Sequence, residues 1–451
     1  MNRAHALIPH IRAGMLLLLL LSGCSTFEDI TDWMGSSEKK TPLPGERIAV
    51  LSDAAHLKPD DSLKGVDVTV PAATANGDWP QAGGGPQGIT GNLELSGYSH
   101  HDSVKIGDHN GWEQPLYPSP VVAGGLVFAI DAKGYITAHE TTDIGKVRWT
   151  NKSAVEDNEP DLIGGGLAFE DGRLYVTSGR GKVYAIDAAN GKEVWKQVIG
   201  LPLRAPPKVH KDKLYVLSID NQLFALNSLT GTPLWNHRGI NENAGFLADI
   251  SPAATENIVL APYSSGTLHA LDTSSGQDVW NDSLLLSRRN SATAAFSGIG
   301  GNPVVDNNIV YATGSSGFFA TIDLLSGRRI WDQDVSSLNT PWIAGDFIYL
   351  LSSDYELVCM MRADGRVKWT KQLQRYAKEE KRKDPLVWRG PIMAGGQLLI
   401  AGTHGQMLVL SPKDGSTITT ADIPENITDM PVVAGGKLYV LTQDARLHVL
   451  Y

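Results

Sequence analysis

Few side chains in this chain are of the kinds that do chemistry, and their spacing limits what that chemistry is. His100, His101 and Asp102, with Asp108 and His109, bring together imidazole and carboxylate donors of the sort that hold zinc. Neighbouring residues on a strand face opposite ways, however, so His100 and His101 do not share one ion and no metal site is expected. Gly83-x-Gly85-x-x-Gly88 matches a dinucleotide fingerprint by letter, but Pro86 and the missing strand-to-helix context make it a loop. No Gly-x-Ser-x-Gly elbow occurs. His139, His210, His237, His269, His404 and His448 are dispersed along the chain, so surface or satisfied core positions are expected of them. No catalytic residue, metal or cofactor is assigned on these grounds. The expectation is a protein that is not an enzyme.

The remaining reactive groups are two thiols. Cys24 follows Arg3, Arg12, the apolar run 15–21 and then Ser22 and Gly23. That run is far shorter than the roughly 20 apolar residues a spanning helix needs, but it suits a secretory signal over residues 1–23. Leu21-Ser22-Gly23-Cys24 resembles the lipobox of bacterial lipoproteins, which implies cleavage before Cys24, diacylation of its thiol and a further acyl chain on the new amino group. Two or three chains hold a protein durably, one only marginally. The alternative is an ordinary signal peptide with an incidental cysteine. Ser25 stands where, in enteric lipoproteins, an aspartate would favour inner-membrane retention, so an outer-membrane address facing the periplasm is expected. Cys359, in the run Leu357-Val358-Cys359-Met360, reads as a small core residue.

These groups must be carried by the rest of the chain. A net charge of −10 disfavours nucleic acid as a partner, and 42% hydrophobic residues suffice for a large core. Forty-seven glycines against 24 prolines fit many tight turns. Residues 24–75 are polar and mixed in charge, as in the stretch 36–42, and are expected to form a lipidated flexible tether. Residues 76–451 repeat one pattern. Ala185-Ile186-Asp187 leads to Gly191 and Trp195, Ala225-Leu226-Asn227 to Gly231 and Trp235, and Ala270-Leu271-Asp272 to Gly276 and Trp280. Tryptophans 149, 195, 235, 280, 331 and 369 lie 46, 40, 45, 51 and 38 residues apart, the period of four-stranded propeller blades.

Unit starts near Pro120, Leu167, Pro207, Pro252, Pro303, Pro341, Pro391 and Pro431 predict an all-β fold, an eight-bladed β-propeller of four-stranded blades. The last unit ends at Tyr451 without its outermost strand, and an open edge is an aggregation liability. Residues 104–106 are placed to supply that strand and close the ring from the N-terminal side. In each unit the aspartate should accept turn amides, the glycine should take the unusual φ, and the tryptophan should fill the gap between blades. The charged run 376–384 reads as a solvated loop or short helix, with a partner-facing role as the alternative.

The Ala-x-Asp-x-x-x-Gly-x-x-x-Trp unit resembles the docking repeat of quinoprotein dehydrogenases, and residues 78–84, Asp-Trp-Pro-Gln-Ala-Gly-Gly, resemble that superfamily's opening motif. The adjacent cysteines and Cys-x-x-Cys-His of many such enzymes are missing. Lipobox, tether and repeats together resemble the BamB family, lipoproteins of the outer-membrane β-barrel assembly machinery. That resemblance implies a scaffold that binds the periplasmic domains of BamA and other Bam components and assists unfolded outer-membrane proteins. It also assigns partner binding to Leu201, Leu203 and Arg204 of a Leu-x-Leu-Arg loop and to Asp249 of the next blade's loop. Leu247 departs from the acidic residue usual in that second loop. The rival functions are a periplasmic oxidoreductase using pyrroloquinoline quinone and a generic envelope-binding propeller.

Overall fold

The computed structural model describes residues 57–107, 118–154, 164–240, 250–285 and 298–451. Cys24 and the signal segment lie outside them. The chain divides into two units, 1–55 and 56–451, and only the second is described here. Within it the described secondary structure is β-strand, with three single turns of 3-10 helix.

The strands form successive four-stranded antiparallel sheets, the arrangement of a β-propeller: 121–151, 165–198, 208–238, 253–283, 304–333 and 342–372. In the next sheet, 388–422, the short strands Asn92–Leu93 and Ala73–Thr74 add in parallel beside Trp388–Ala394. In the last, three strands within 432–450 are completed by His101–Lys105, which pairs antiparallel with Arg446–Leu450. The sequence places this strand at 104–106; it begins three residues earlier. Each expected unit start falls on or just before an innermost strand.

Burial follows the same plan in every unit. Middle strands such as Lys213–Leu217 and Phe347–Leu351 are buried almost throughout, because both faces of the sheet meet a neighbouring sheet. Outermost strands such as Glu193–Val198 and Pro233–Arg238 are mostly exposed. The apolar clusters join consecutive sheets. One links 121–151 to 165–198, another 165–198 to 208–238, and the largest spans the last sheets and returns to Val122, Val127 and Ile144 of the first.

Tryptophan docking is the repeated contact across these boundaries. The indole N–H of Trp149 donates to Ala188 O at 2.8 Å, Trp195 to Ser228 O, Trp235 to Thr273 O, Trp280 to Leu324 O, Trp331 to Arg362 O and Trp369 to Pro412 O. Five of these acceptors directly follow the strand-ending residue of the next sheet, and Pro412 stands one residue further on. That turn is held open for the ring by its own polar group: Asp272 Oδ1 accepts from the amides of Ser274 and Ser275, and Asn227 Oδ1 from those of Leu229 and Thr230. The turn glycine completes the fit. Gly191 has φ +72°, and a Cβ there would lie 2.6 Å from the Trp149 ring.

A second device runs across the sheets. Trp79 exchanges backbone hydrogen bonds with Val122, and Pro80 O accepts from Phe169 N. The Gln81 side chain exchanges bonds with Val209, Pro86 O accepts from Ala254 N and Gln87 O from Val305 N. Gly91 donates to Ile343 O, Leu93 O accepts from Gly395 N and Ser96 donates to Gly436 O. Residues 79–96 therefore touch every sheet in turn before entering the strand His101–Lys105.

One expectation is corrected and another refined. Residues 57–75, read as tether, lie on the propeller: Asp60 N donates to Val367 O, Lys368 Nζ to Leu63 O, and Leu63 and Val68 are buried. Polar composition hid this because the segment is held mainly through its backbone. The charged run 376–384 holds one turn of 3-10 helix, Glu379–Lys381, at the tip of a hairpin of Tyr376–Lys378 and Lys383–Pro385, exposed along most of its length. Cys359 is buried opposite Tyr349 and Trp369, as expected, and burial pushes its thiol well above the usual range.

Replacing Trp149 with alanine removes a buried ring and orphans the Ala188 acceptor, which should cost about 3–5 kcal/mol in urea unfolding. Gly191→Ala, which leaves the indole in place, should still destabilise by about 1–3 kcal/mol through its backbone conformation and the clash. Equal midpoints for wild type and Gly191→Ala would show that the ring does not sit on this turn.

Candidate functional site

The Leu-Pro-Leu-Arg segment connects the sheet 165–198 to the sheet 208–238, and its backbone is fixed on both sides. Arg204 N donates to Leu217 O, Ile219 N donates to Pro202 O, and Thr177 Oγ1 donates to Ala205 O. Gly181 lies flat against Leu201, where a Cβ would come within 2.5 Å of the Leu201 carbonyl oxygen.

The side chains of this segment do not share one role. Leu203 is fully buried at 0% exposure, packed with Tyr175, Val183, Leu214 and Val216 between the two sheets. Arg204 is 6% exposed and its guanidinium donates to Pro262 O of the following sheet. Leu201 is half-buried and Pro202 exposed, so these two reach the surface. The expectation of two exposed leucines beside an accessible arginine is thus corrected: Leu203 is a wedge between sheets and Arg204 a strut across them. Asp249 lies outside the described residues.

What surrounds Leu201 was not visible in the sequence. Ile219, 45% exposed, is bonded through its amide to Pro202, and Ile240, 63% exposed, accepts at its carbonyl from Asn221 Nδ2. Ile219 is thus tied to the Leu201–Arg204 segment, and Ile240 to the Asn221 turn two residues on from Ile219. The only signal in the sequence was an apolar β-branched residue at the tip of each turn.

Beyond Pro262, the next residue, Tyr263, opens a cluster that also escaped the sequence reading. His237 Nδ1 lies 2.7 Å from Tyr263 Oη, and His237 Nε2 lies 3.1 Å from Asp278 Oδ2. His269 Nδ1 lies 2.7 Å from Asp278 Oδ1. Burial pushes the Asp278 carboxyl upward, but the bonds from His269 and His237 outweigh it and leave the group below the usual carboxylate range. Burial raises the Tyr263 hydroxyl. Two of the dispersed histidines therefore meet across a sheet boundary. His100 and His101 instead stack separately on Tyr451 and His448, as their opposite faces require.

A cavity of about 450 Å³ is lined by Trp79, Pro206, Asn302, Trp388, Arg389 and Asp429, among others drawn from several sheets. Among the described residues its one lining cation, Arg389, is matched by the carboxylate of Asp429, which accepts from Ser119 Oγ. A quinone carrying three carboxylates needs an excess of positive charge, which this lining does not offer. The described lining residues therefore do not fit pyrroloquinoline quinone.

Beside the cavity, Lys208 is buried and donates from Nζ to Ala82 O at 2.7 Å and Gly85 O at 3.0 Å, pinning the loop that carries the glycine fingerprint. Burial draws its pKa from 10.5 down to about 7.

The model of the family described as outer membrane protein assembly factor BamB matches residues 132–371. An outer membrane protein assembly factor BamB from Moranella endobia is 23% identical over 358 residues, which cover 77% of this chain and 89% of that one. Among solved structures, BamB from Moraxella catarrhalis superposes with a TM-score of 0.65 at 22% identity, covering 78% of this chain and 98% of that one. Quinohemoprotein alcohol dehydrogenase from Comamonas testosteroni gives 0.63 at 13% identity, over 84% and 81% of the two chains. At these identities the structural matches speak for the fold.

Two measurements follow from the burial and charge found here. Leu203→Ala should destabilise the chain by about 2–5 kcal/mol, and Leu201→Ala by less than about 1, in the same denaturant titration. Lys208 binds a proton more weakly when folded than when unfolded, so its contribution is full above pH 10.5 and is lost as pH falls toward about 7. The unfolding midpoint of wild type should accordingly rise between those pH values relative to Lys208→Met. A difference that stays flat across that window would mean the buried amine is not displaced from its ordinary pKa.

Proposed function

Because the chain belongs to the BamB family of outer membrane protein assembly factors, we propose that it is a non-catalytic scaffold lipoprotein of the Bam complex. In this reading Cys24 carries the lipid that holds it at the periplasmic face of the outer membrane. The platform is a propeller of eight blades closed by His101–Lys105. It docks BamA periplasmic domains and assists the assembly and insertion of β-barrel proteins.

The observation that carries the proposal is the family match over 132–371, which includes the Leu-Pro-Leu-Arg loop. The docking surface is centred on Leu201, with Ile219 and Ile240 beside it, while Leu203 and Arg204 hold the loop in place and Asp249 lies in the segment after Ile240. An apolar centre suits a protein interface. The outermost strands offer a route to clients. Glu193–Val198, Pro233–Arg238 and Asp278–Ser283 end their sheets and expose Val194, Leu234 and Val279, so an extended chain could add there by strand pairing. Among the described residues no helix is long and apolar enough to cross a membrane, so attachment rests on the lipid.

Tagged full-length chain extracted in mild detergent should bring down BamA, and Leu201→Glu with Ile240→Glu should reduce the recovery at least tenfold while leaving unfolding midpoints near wild type. Cys24→Ala should release the protein from membranes. Recovery of BamA that is indifferent to the paired charge substitutions would remove this surface from the proposal. Saturable dye reduction on alcohols after adding pyrroloquinoline quinone and calcium would favour the oxidoreductase instead.

A further inference from the structure

The cluster of His237, His269 and Asp278 is built as a metal site. His237 comes from the outermost strand of one sheet, and His269 and Asp278 from the two outer strands of the next, so the three donors converge across a boundary. One donor atom from each residue lies within 4.8 Å of the others. The imidazoles are shielded, each 14% exposed, whereas Asp278 is 42% exposed, so an ion has a way in from solvent.

The hydrogen bonds fix which nitrogen faces the site. Tyr263 Oη lies 2.7 Å from His237 Nδ1 and 3.4 Å from His237 O. His237 Nε2 is thus the nitrogen turned toward Asp278 Oδ2. When Nδ1 carries the ring proton and donates to Tyr263 Oη, Nε2 presents a lone pair 3.1 Å from the carboxylate oxygen, and that arrangement needs a cation between them. A bound proton or a metal ion answers that need. A ligating histidine whose other ring nitrogen donates to a fixed oxygen is the usual support of a metal site, and Tyr263 supplies that oxygen here. The tyrosine is itself held: a Cβ at Gly239 would lie 2.6 Å from its ring, so the backbone passes flat against it.

We propose that His237, His269 and Asp278 bind one divalent transition-metal ion, with zinc the best match to two imidazoles and a carboxylate, and that water fills the fourth position. The ion clips the sheet 208–238 to the sheet 253–283, one residue along the chain from the Pro262 carbonyl that receives Arg204. This inference stands apart from the proposed BamA surface at Leu201, Ile219 and Ile240, since it rests on different residues.

The test uses the full-length chain in detergent, stripped with a chelator and titrated with zinc sulfate against a chromophoric competitor. Wild type should bind one high-affinity equivalent and gain in thermal midpoint. Asp278→Asn and His269→Gln should each weaken that equivalent at least tenfold, and Tyr263→Phe should keep the stoichiometry with an affinity about 10-fold lower. His210→Ala should bind as wild type does. Anomalous scattering at the zinc edge from crystals of wild type locates the ion without any variant. A peak among the three side chains is expected; a peak elsewhere, no peak, or zinc affinity unchanged in Asp278→Asn overturns the inference.

Discussion

The docking of one sheet's tryptophan on the next sheet's turn is the contact on which the structure rests. Isolated four-stranded sheets of this size have two apolar faces and no means of covering both. Stacking them solves that problem only if the spacing between neighbours is fixed. An indole lying on a glycine, with its N–H bonded to a carbonyl of the same turn, fixes both distance and height, because neither ring nor backbone can move without losing the other. The register shift that recurs at this position, between Ala185 and Ile186, Ala225 and Leu226 and Ala270 and Leu271, twists the outer hairpin so that the ring is aimed outward from its own sheet.

The repeat fails where the chain ends, and the failure explains the N-terminal segment. The sheet 388–422 has Thr419 where its neighbours have tryptophan, and the last sheet takes its outermost strand from His101–Lys105. In this region the largest apolar cluster recruits Trp79, Leu93 and Ile106 from residues that precede the first sheet. The ribbon 79–96 then supplies a tie of another kind, a backbone hydrogen bond or side-chain amide to each innermost strand. It is held at Lys208, a buried amine whose two carbonyl partners belong to the ribbon.

The same boundaries position the surfaces with functional promise. Leu203 and Arg204 spend their side chains inside, joining consecutive sheets, which leaves Leu201 and two isoleucines to face outward. A family motif can therefore be required for two reasons at once, as scaffold and as surface, and only the geometry separates them. The imidazole cluster lies one boundary further on and shares the segment Pro262-Tyr263 with Arg204.

Sequence alone determined the features that repeat or that act locally. The period of the tryptophans, the strand-ending Asp or Asn, the turn glycine and the signal-like first 23 residues are each legible because their causes lie within a few residues of each other, or because one unit is compared with the next. The tertiary structure decided what depends on distant partners. The tether's descent onto the sheets is made through backbone groups, which leave no mark on composition. Burial of Leu203 and Arg204 depends on strands from other units. His237, His269 and Asp278 meet only because two sheets pack at a set spacing, and the tryptophan dock sets it.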